Sequence, residues 1–172
     1  MPVYALGDQV PQIDASAFIH PDAVVIGSVS IGPESSVWPA AVLRGDDGTI
    51  RVGARTSVQD GAVLHTTAEH PTVVGDDCVI GHLAHLEGCT IESGAMVANA
   101  AMVLHRSVVG TGAIVAANAV VLNDVVVPPG ALAVGTPATI KPDRARADEI
   151  AHNVAVYVAR SGRYRHDLRR ID

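Results

Sequence analysis

Aromatic side chains are almost missing from this chain: one Phe, one Trp and three Tyr in 172 residues, although 48% of the residues are apolar. A core with so few rings must be built from Val, Ile, Leu and Ala, in a space too narrow for larger groups. Cysteine is scarce as well. Cys78 and Cys89 form neither a CxxC pair nor a secreted-type disulfide framework, and read as small buried apolar residues in a reducing compartment. Lys and Arg number 12 against 18 Asp and Glu, for a net charge of -6, and no basic run is present. That excludes a general nucleic-acid surface, which needs clustered positive charge. No stretch of about 18 apolar residues is available to cross a bilayer, and the opening MPVYALGDQV has no basic segment followed by an apolar one. The composition therefore points to a cytoplasmic single domain with no membrane or nucleic-acid partner.

What the sequence does contain is a period of six. Steps of six from Ile13 reach Ile19, Val25, Ile31, Val37 and Leu43. After a slip the series resumes at Val52, Val58 and Leu64, then at Val74, Ile80 and Leu86, and finally runs from Ile91 through Val97, Val103, Val109, Val115, Val121 and Val127 to Ala133. All of these positions are apolar. Ala41, Ala62, Ala84, Ala101 and Ala119 form a second series, and Ser35, Thr56, Cys78, Ala95 and Ala113, all small, form a third. A helical period of 3.6 produces no such pattern. One branched aliphatic and one small residue inward per six describes a short strand and a turn, three of which close a triangular coil. The expected fold is an all-β left-handed parallel β-helix of hexapeptide repeats over residues 1–142. Residues 143–172 carry Ala147, Ile150, Ala151, Val154, Tyr157 and Val158 at helical spacing, which predicts a C-terminal α-helix packed against the prism.

The slips fall at one corner, where extra residues separate Leu43 from Val52 and Leu64 from Val74 and one residue is missing between Leu86 and Ile91. Loops at one edge of a rigid scaffold are where function is usually placed. Coils stack about 4.8 Å apart, so Arg44, His65 and Glu87 form one outward column, and Asp60 and His82 another. His65 and Glu87 are near enough to share a metal ion. His82 lies on a neighbouring stretch and reaches them only from a second copy, which predicts a homotrimer with metal sites between subunits. His85, flanking the inward Leu86 opposite Glu87, is an alternative third ligand. Glu87 could equally be a carboxylate in a subunit salt bridge with Arg44 or Arg55. His20, His70, His105, His152 and His166 show no partner pattern and stay outside the expected site.

The segments Arg44-Gly45-Asp46, Val58-Gln59-Asp60-Gly61, Leu64-His65 and Ile80-Gly81-His82 together resemble the core of the γ-class carbonic anhydrase family. The resemblance runs from the ALGD opening to the GTPA and YVARSGRYR segments near the end. It implies His65 and His82 as metal ligands, Gln59 as the amide that positions the attacking hydroxide, and Arg44, Asp46 and Asp60 as the supporting network, with Arg44 and Asp46 tying subunits together. Where the family has its third histidine, this chain has Glu87. Two imidazoles and a carboxylate still suit Zn2+, and also Fe2+ or Co2+, but the carboxylate makes bound water a weaker acid. The loop TTAEHP after His65 is short beside the fully active form of the family, leaving Glu69, His70 or Asp47 as candidate proton carriers. The implied activity is reversible hydration of carbon dioxide to bicarbonate. Two other readings stay open: acyl transfer from coenzyme A, which proteins of the same fold perform, and a non-catalytic metal-bearing scaffold.

Overall fold

The computed structural model describes residues 2–172. The period of six becomes a parallel β-helix, and each sequence series becomes a stack in the interior. Leu43, Leu64, Leu86, Val103 and Val121 lie in register on successive coils. So do Val37, Val58, Ile80, Val97, Val115 and Ala133, and Ile31, Val52, Val74, Ile91, Val109 and Val127. These side chains are buried in one continuous cluster together with the alanine series. The small positions are small for a reason: Ser35 Oγ donates to the Gly53 carbonyl at 2.6 Å and Thr56 Oγ1 to the Gly75 carbonyl at 2.8 Å. A buried hydroxyl is tolerated there because it satisfies a turn carbonyl on the next coil.

No aromatic side chain enters that cluster. The rings lie outside the prism, where Phe18, Trp38, Tyr157 and Tyr164 pack edge to face or tilted at centroid distances of 5.0–6.1 Å. Helix α1, Ala147–Asp167, covers one face of the prism. Its Ile150 and Val154 pack on Val79, Met96 and Ile114 of successive rungs, so the helix buries an outward column that would otherwise be apolar surface. Asp148 and Glu149 in its first turn and Arg165 and His166 in its last complement the helix dipole. No helix among the described residues is long and apolar enough to cross a membrane.

The slips take three forms. The extra residues after Leu43 do not leave as a loop: Val42–Val52 is one strand, whose register against Val24–Ile31 shifts between Gly27 and Val29. Those after Leu64 make a tight turn in which Thr67 and His70 exchange backbone hydrogen bonds at 3.2 and 3.3 Å. The missing residue falls at Gly88, where an added Cβ would come within 2.6 Å of His105 Cδ2 and 2.8 Å of His70 Cβ.

Both thiols are free and buried. Burial pushes Cys78 up to about 11 and Cys89 up to about 12, so at pH 8 about a thousandth of Cys78 or less is reactive thiolate. Ellman's reagent should therefore find no fast-reacting thiol in the native protein at pH 8 and two in guanidinium chloride. A rapid native reaction would count against the packed interior.

Candidate metal centre

Arg44, His65 and Glu87 are in register on three successive rungs. Alternation along each strand turns Leu43, Leu64 and Leu86 inward and these three residues, with His85, outward. Glu87 is the hub of the cluster. Its Oε1 accepts from His65 Nδ1 at 3.2 Å and its Oε2 from His85 Nε2 at 3.2 Å, while His105 Nε2 lies 3.7 Å from Oε1. Asp46 pairs through Oδ2 with the Arg44 guanidinium and presents Oδ1 to His65 Nε2 at 3.3 Å. Burial opposes the charge of Glu87, but hydrogen bonds from His85 and His65 and the charges of His105 and His85 outweigh it and hold the carboxyl below the usual glutamate range. Asp46 is likewise held low against burial by Arg44 and by its own and the Asp47 backbone N–H. His65 Nε2 and His105 Nε2 are buried without any hydrogen bond, the Asp46 oxygen near His65 included.

A second group lies at the ends of strands Ser57–Val58 and Val79–Ile80, which belong to the other sheet. Asp60 Oδ2 lies 3.0 Å from His82 Nδ1, and the Tyr157 hydroxyl lies 3.3 Å from His82 Nε2. Gln59, only 4% exposed, lines a cavity of about 300 Å³ with His82, Asn99, Asn153 and Tyr157. One chain thus brings together two partial sites. The first holds Arg44, Asp46, His65, His85 and Glu87; the second holds Gln59, Asp60 and His82.

Two residues left out on sequence grounds join the first group. His105 reaches Glu87, and His70 stacks beside it with ring centroids 5.8 Å apart while contacting Arg106 Nη1 at 3.2 Å. The signal for them was Gly88, the only residue type that leaves room for the His105 ring at that turn. Of the candidate proton carriers, His70 is the one packed against a site imidazole. Within one chain Arg55 forks Asp77 at 2.7 and 2.6 Å and Arg44 pairs with Asp46, while histidines surround Glu87.

Imidazole nitrogen and carboxylate oxygen are donors that zinc, iron and cobalt all accept. The orphaned Nε2 of His65 is a lone pair without a partner, since the Glu87 carboxylate can only accept and so keeps the proton on Nδ1. These residues fit a divalent metal, but as two separate groups. Among the described residues of one chain, no three of His, Cys, Asp and Glu are disposed to hold an ion.

No family model matches the chain. It is 41% identical over 138 residues to a carbonic anhydrase of Geobacillus kaustophilus, covering 80% of this chain and 76% of that one. It is also 38% identical over 138 residues to the carnitine operon protein CaiE of Escherichia coli strain K12, covering 80% and 70%. Gamma carbonic anhydrase 1, mitochondrial, of Arabidopsis thaliana is 41% identical over 137 residues, covering 76% of this chain. The chain spans about half the length of that plant relative, 50%. Among solved structures, a Bacillus cereus protein described as a putative acetyltransferase superposes with a TM-score of 0.92 at 30% identity, covering 94% of this chain and 95% of the other.

Proposed function

The chain belongs to the γ-carbonic anhydrase-like family of hexapeptide-repeat proteins, and on that premise we propose that it hydrates carbon dioxide to bicarbonate at a divalent metal held between copies of itself. The observation that carries the reading is the division of the donors: His65 offers a buried, unpartnered Nε2 in one group, and His82 lies with Gln59 in another. A rotational trimer that sets the His82 edge of one copy against the His65 edge of the next completes the site three times over. Surface chemistry supports that contact. Beside the Arg44, His65 and Glu87 column runs an outward file of Val42, Val63, His85, Met102 and Val120, in register rung by rung. Met102 is 46% exposed and Leu122, on the same face, 47%. Leu83, next to His82, is 67% exposed. Apolar groups of this kind are what a subunit contact covers.

When bound, the metal supplies Lewis acidity that brings the ionisation of water near neutral pH. The chain's residues do the remaining work. The Asp60 carboxylate lies against the Nδ1 side of the His82 ring, Arg44 and Asp46 fix each other at the contact, and the buried Gln59 amide orients the oxygen that attacks the carbon. One oxygen–carbon bond forms, one proton is released, and bicarbonate leaves. His70, half-buried and near His105, is the carrier for that proton in this reading. Zinc is the expected metal, with iron or cobalt as substitutes that the donors allow.

Acyl transfer from coenzyme A is the second reading, favoured by the name and close superposition of the Bacillus cereus protein. It gives no role to a second imidazole held by its own carboxylate on the opposite edge. The two are separated by stopped-flow carbon dioxide hydration on protein loaded anaerobically with zinc or iron, in imidazole buffer, beside His82→Ala. Metal-dependent hydration lost in the variant is the expected result. No rate above buffer in metal-loaded protein sinks the anhydrase reading and brings the acyltransferase and scaffold readings forward.

A further inference from the structure

Each imidazole has a carboxylate beside its Nδ1. Asp60 Oδ2 on the preceding rung lies 3.0 Å from His82 Nδ1, and His65 gives Nδ1 to Glu87 on the following rung at 3.2 Å. In both the carboxylate is on the Nδ1 side, and Nε2 points away from it, toward the Tyr157 hydroxyl at 3.3 Å in His82 and without a partner in His65. A metal-bound imidazole ordinarily hands its other N–H to a carboxylate or a carbonyl, which fixes its tautomer and direction. Glu87 therefore stands to His65 as Asp60 stands to His82. Its remaining oxygen is occupied too, since Oε2 accepts from His85 Nε2 at 3.2 Å. On the other side of the His65 ring, the buried and unpartnered Nε2 faces Asp46 Oδ1 at 3.3 Å. Adjacent ligand atoms around a tetrahedral metal with bonds of about 2.0–2.1 Å are about 3.3 Å apart. Arg44 holds Asp46 through Oδ2, and Oδ1 accepts from the Asp47 backbone N–H at 3.1 Å, which leaves that oxygen one further lone pair.

We infer that the metal-binding carboxylate of this chain is Asp46, and that Glu87, at the strand position where the family pattern has a ligand, is a positioning residue that aims His65. The inference rests on the reading that a metal binds between copies. It assigns the altered third position a role without making it a ligand, and it converts a residue expected only to tie subunits together into part of the donor set.

Cobalt titration of the assembled protein tests it, reading the metal content per chain by equilibrium dialysis, the visible d–d absorption of the bound ion, and the oligomeric state by light scattering. Glu87→Gln, which keeps an acceptor beside Nδ1, should retain one ion per chain and the wild-type absorption envelope, with affinity weakened about 10- to 100-fold. Asp46→Asn should lose cobalt to the level of His65→Ala. If Asp46→Asn falls apart into monomers, Asp46→Glu decides: it keeps a carboxylate for Arg44, and a shifted envelope supports the assignment while an unchanged one overturns it. Loss of cobalt in Glu87→Gln as complete as in His65→Ala overturns it regardless of the Asp46 variants, and so does a wild-type envelope in Asp46→Asn. Wild-type protein that takes up no cobalt is a different failure, removing the metal reading itself and this assignment with it.

Discussion

Co-assembly of His65→Ala chains with His82→Ala chains should restore about a quarter of the wild-type metal content and hydration rate, although neither variant alone retains either. Each site in the proposed trimer takes His65 from one copy and His82 from the next. A site is intact only where a chain that keeps His65 is followed by a chain that keeps His82. In a random mixture at equal amounts that order occurs at about one site in four, and every mixed trimer contains one such site whatever its composition. The experiment uses co-expression with two different tags, so that mixed trimers are isolated before metal is measured, and in that fraction the expected recovery rises to about a third, one site of each three. No recovery in verified mixed trimers would mean that both imidazoles serve the same chain, and the division into two groups would lose its functional meaning. A modest recovery is therefore informative only against the single variants, which must both read zero in the same assay.

That prediction descends from columns legible in the sequence. In a stacked coil every residue lies over its counterpart on the next rung, so equal spacing in sequence becomes contact in space, and His65 over Glu87 and Asp60 under His82 followed directly. The same arithmetic applied to Arg55 leads to Asp77, its actual partner, and away from Glu87. His105 was hidden for a different reason. The rung partner of Leu86 is Val103, which leaves Leu104 beside Glu87 and His105 one position beyond. Only the missing residue and the bare Gly88 let the His105 ring turn back toward the carboxylate. Column reading also says which residues are neighbours without saying which atoms meet. That Glu87 sits at Nδ1 of His65 while Asp46 sits at Nε2 depends on side-chain torsions, and spacing carries no information about these. The helix was legible as an amphipathic pattern, but its start was not, since Arg146 caps it without a side-chain hydrogen bond.

Leu86→Ala should be among the most damaging single changes in the interior, costing about 2–5 kcal/mol of unfolding free energy. Leu86 is fully buried and is clamped by parallel pairing to Leu64 on one side and Val103 on the other. The size of the loss from such a truncation depends on whether the surroundings collapse into the space. Here they cannot do so readily, because moving one rung inward would stretch the hydrogen bonds of the rungs above and below it. Leu86 also lies between His85 and Glu87, so a slackened strand would loosen the Glu87 contacts with His65 and His85 together. Interactions in a solenoid are chiefly between neighbours, and the damage should therefore include lowered metal affinity as well as lowered stability. Val126→Ala, at a position 58% exposed on another face, provides the control and should fall within about 0.5 kcal/mol of wild type. Both are measured by urea unfolding at one fixed protein concentration, since assembly makes the midpoint depend on it. A loss below about 1 kcal/mol at Leu86 would mean that the interior relaxes around the missing atoms, and the prism could then not be the rigid frame that holds His65 and Glu87 at 3.2 Å.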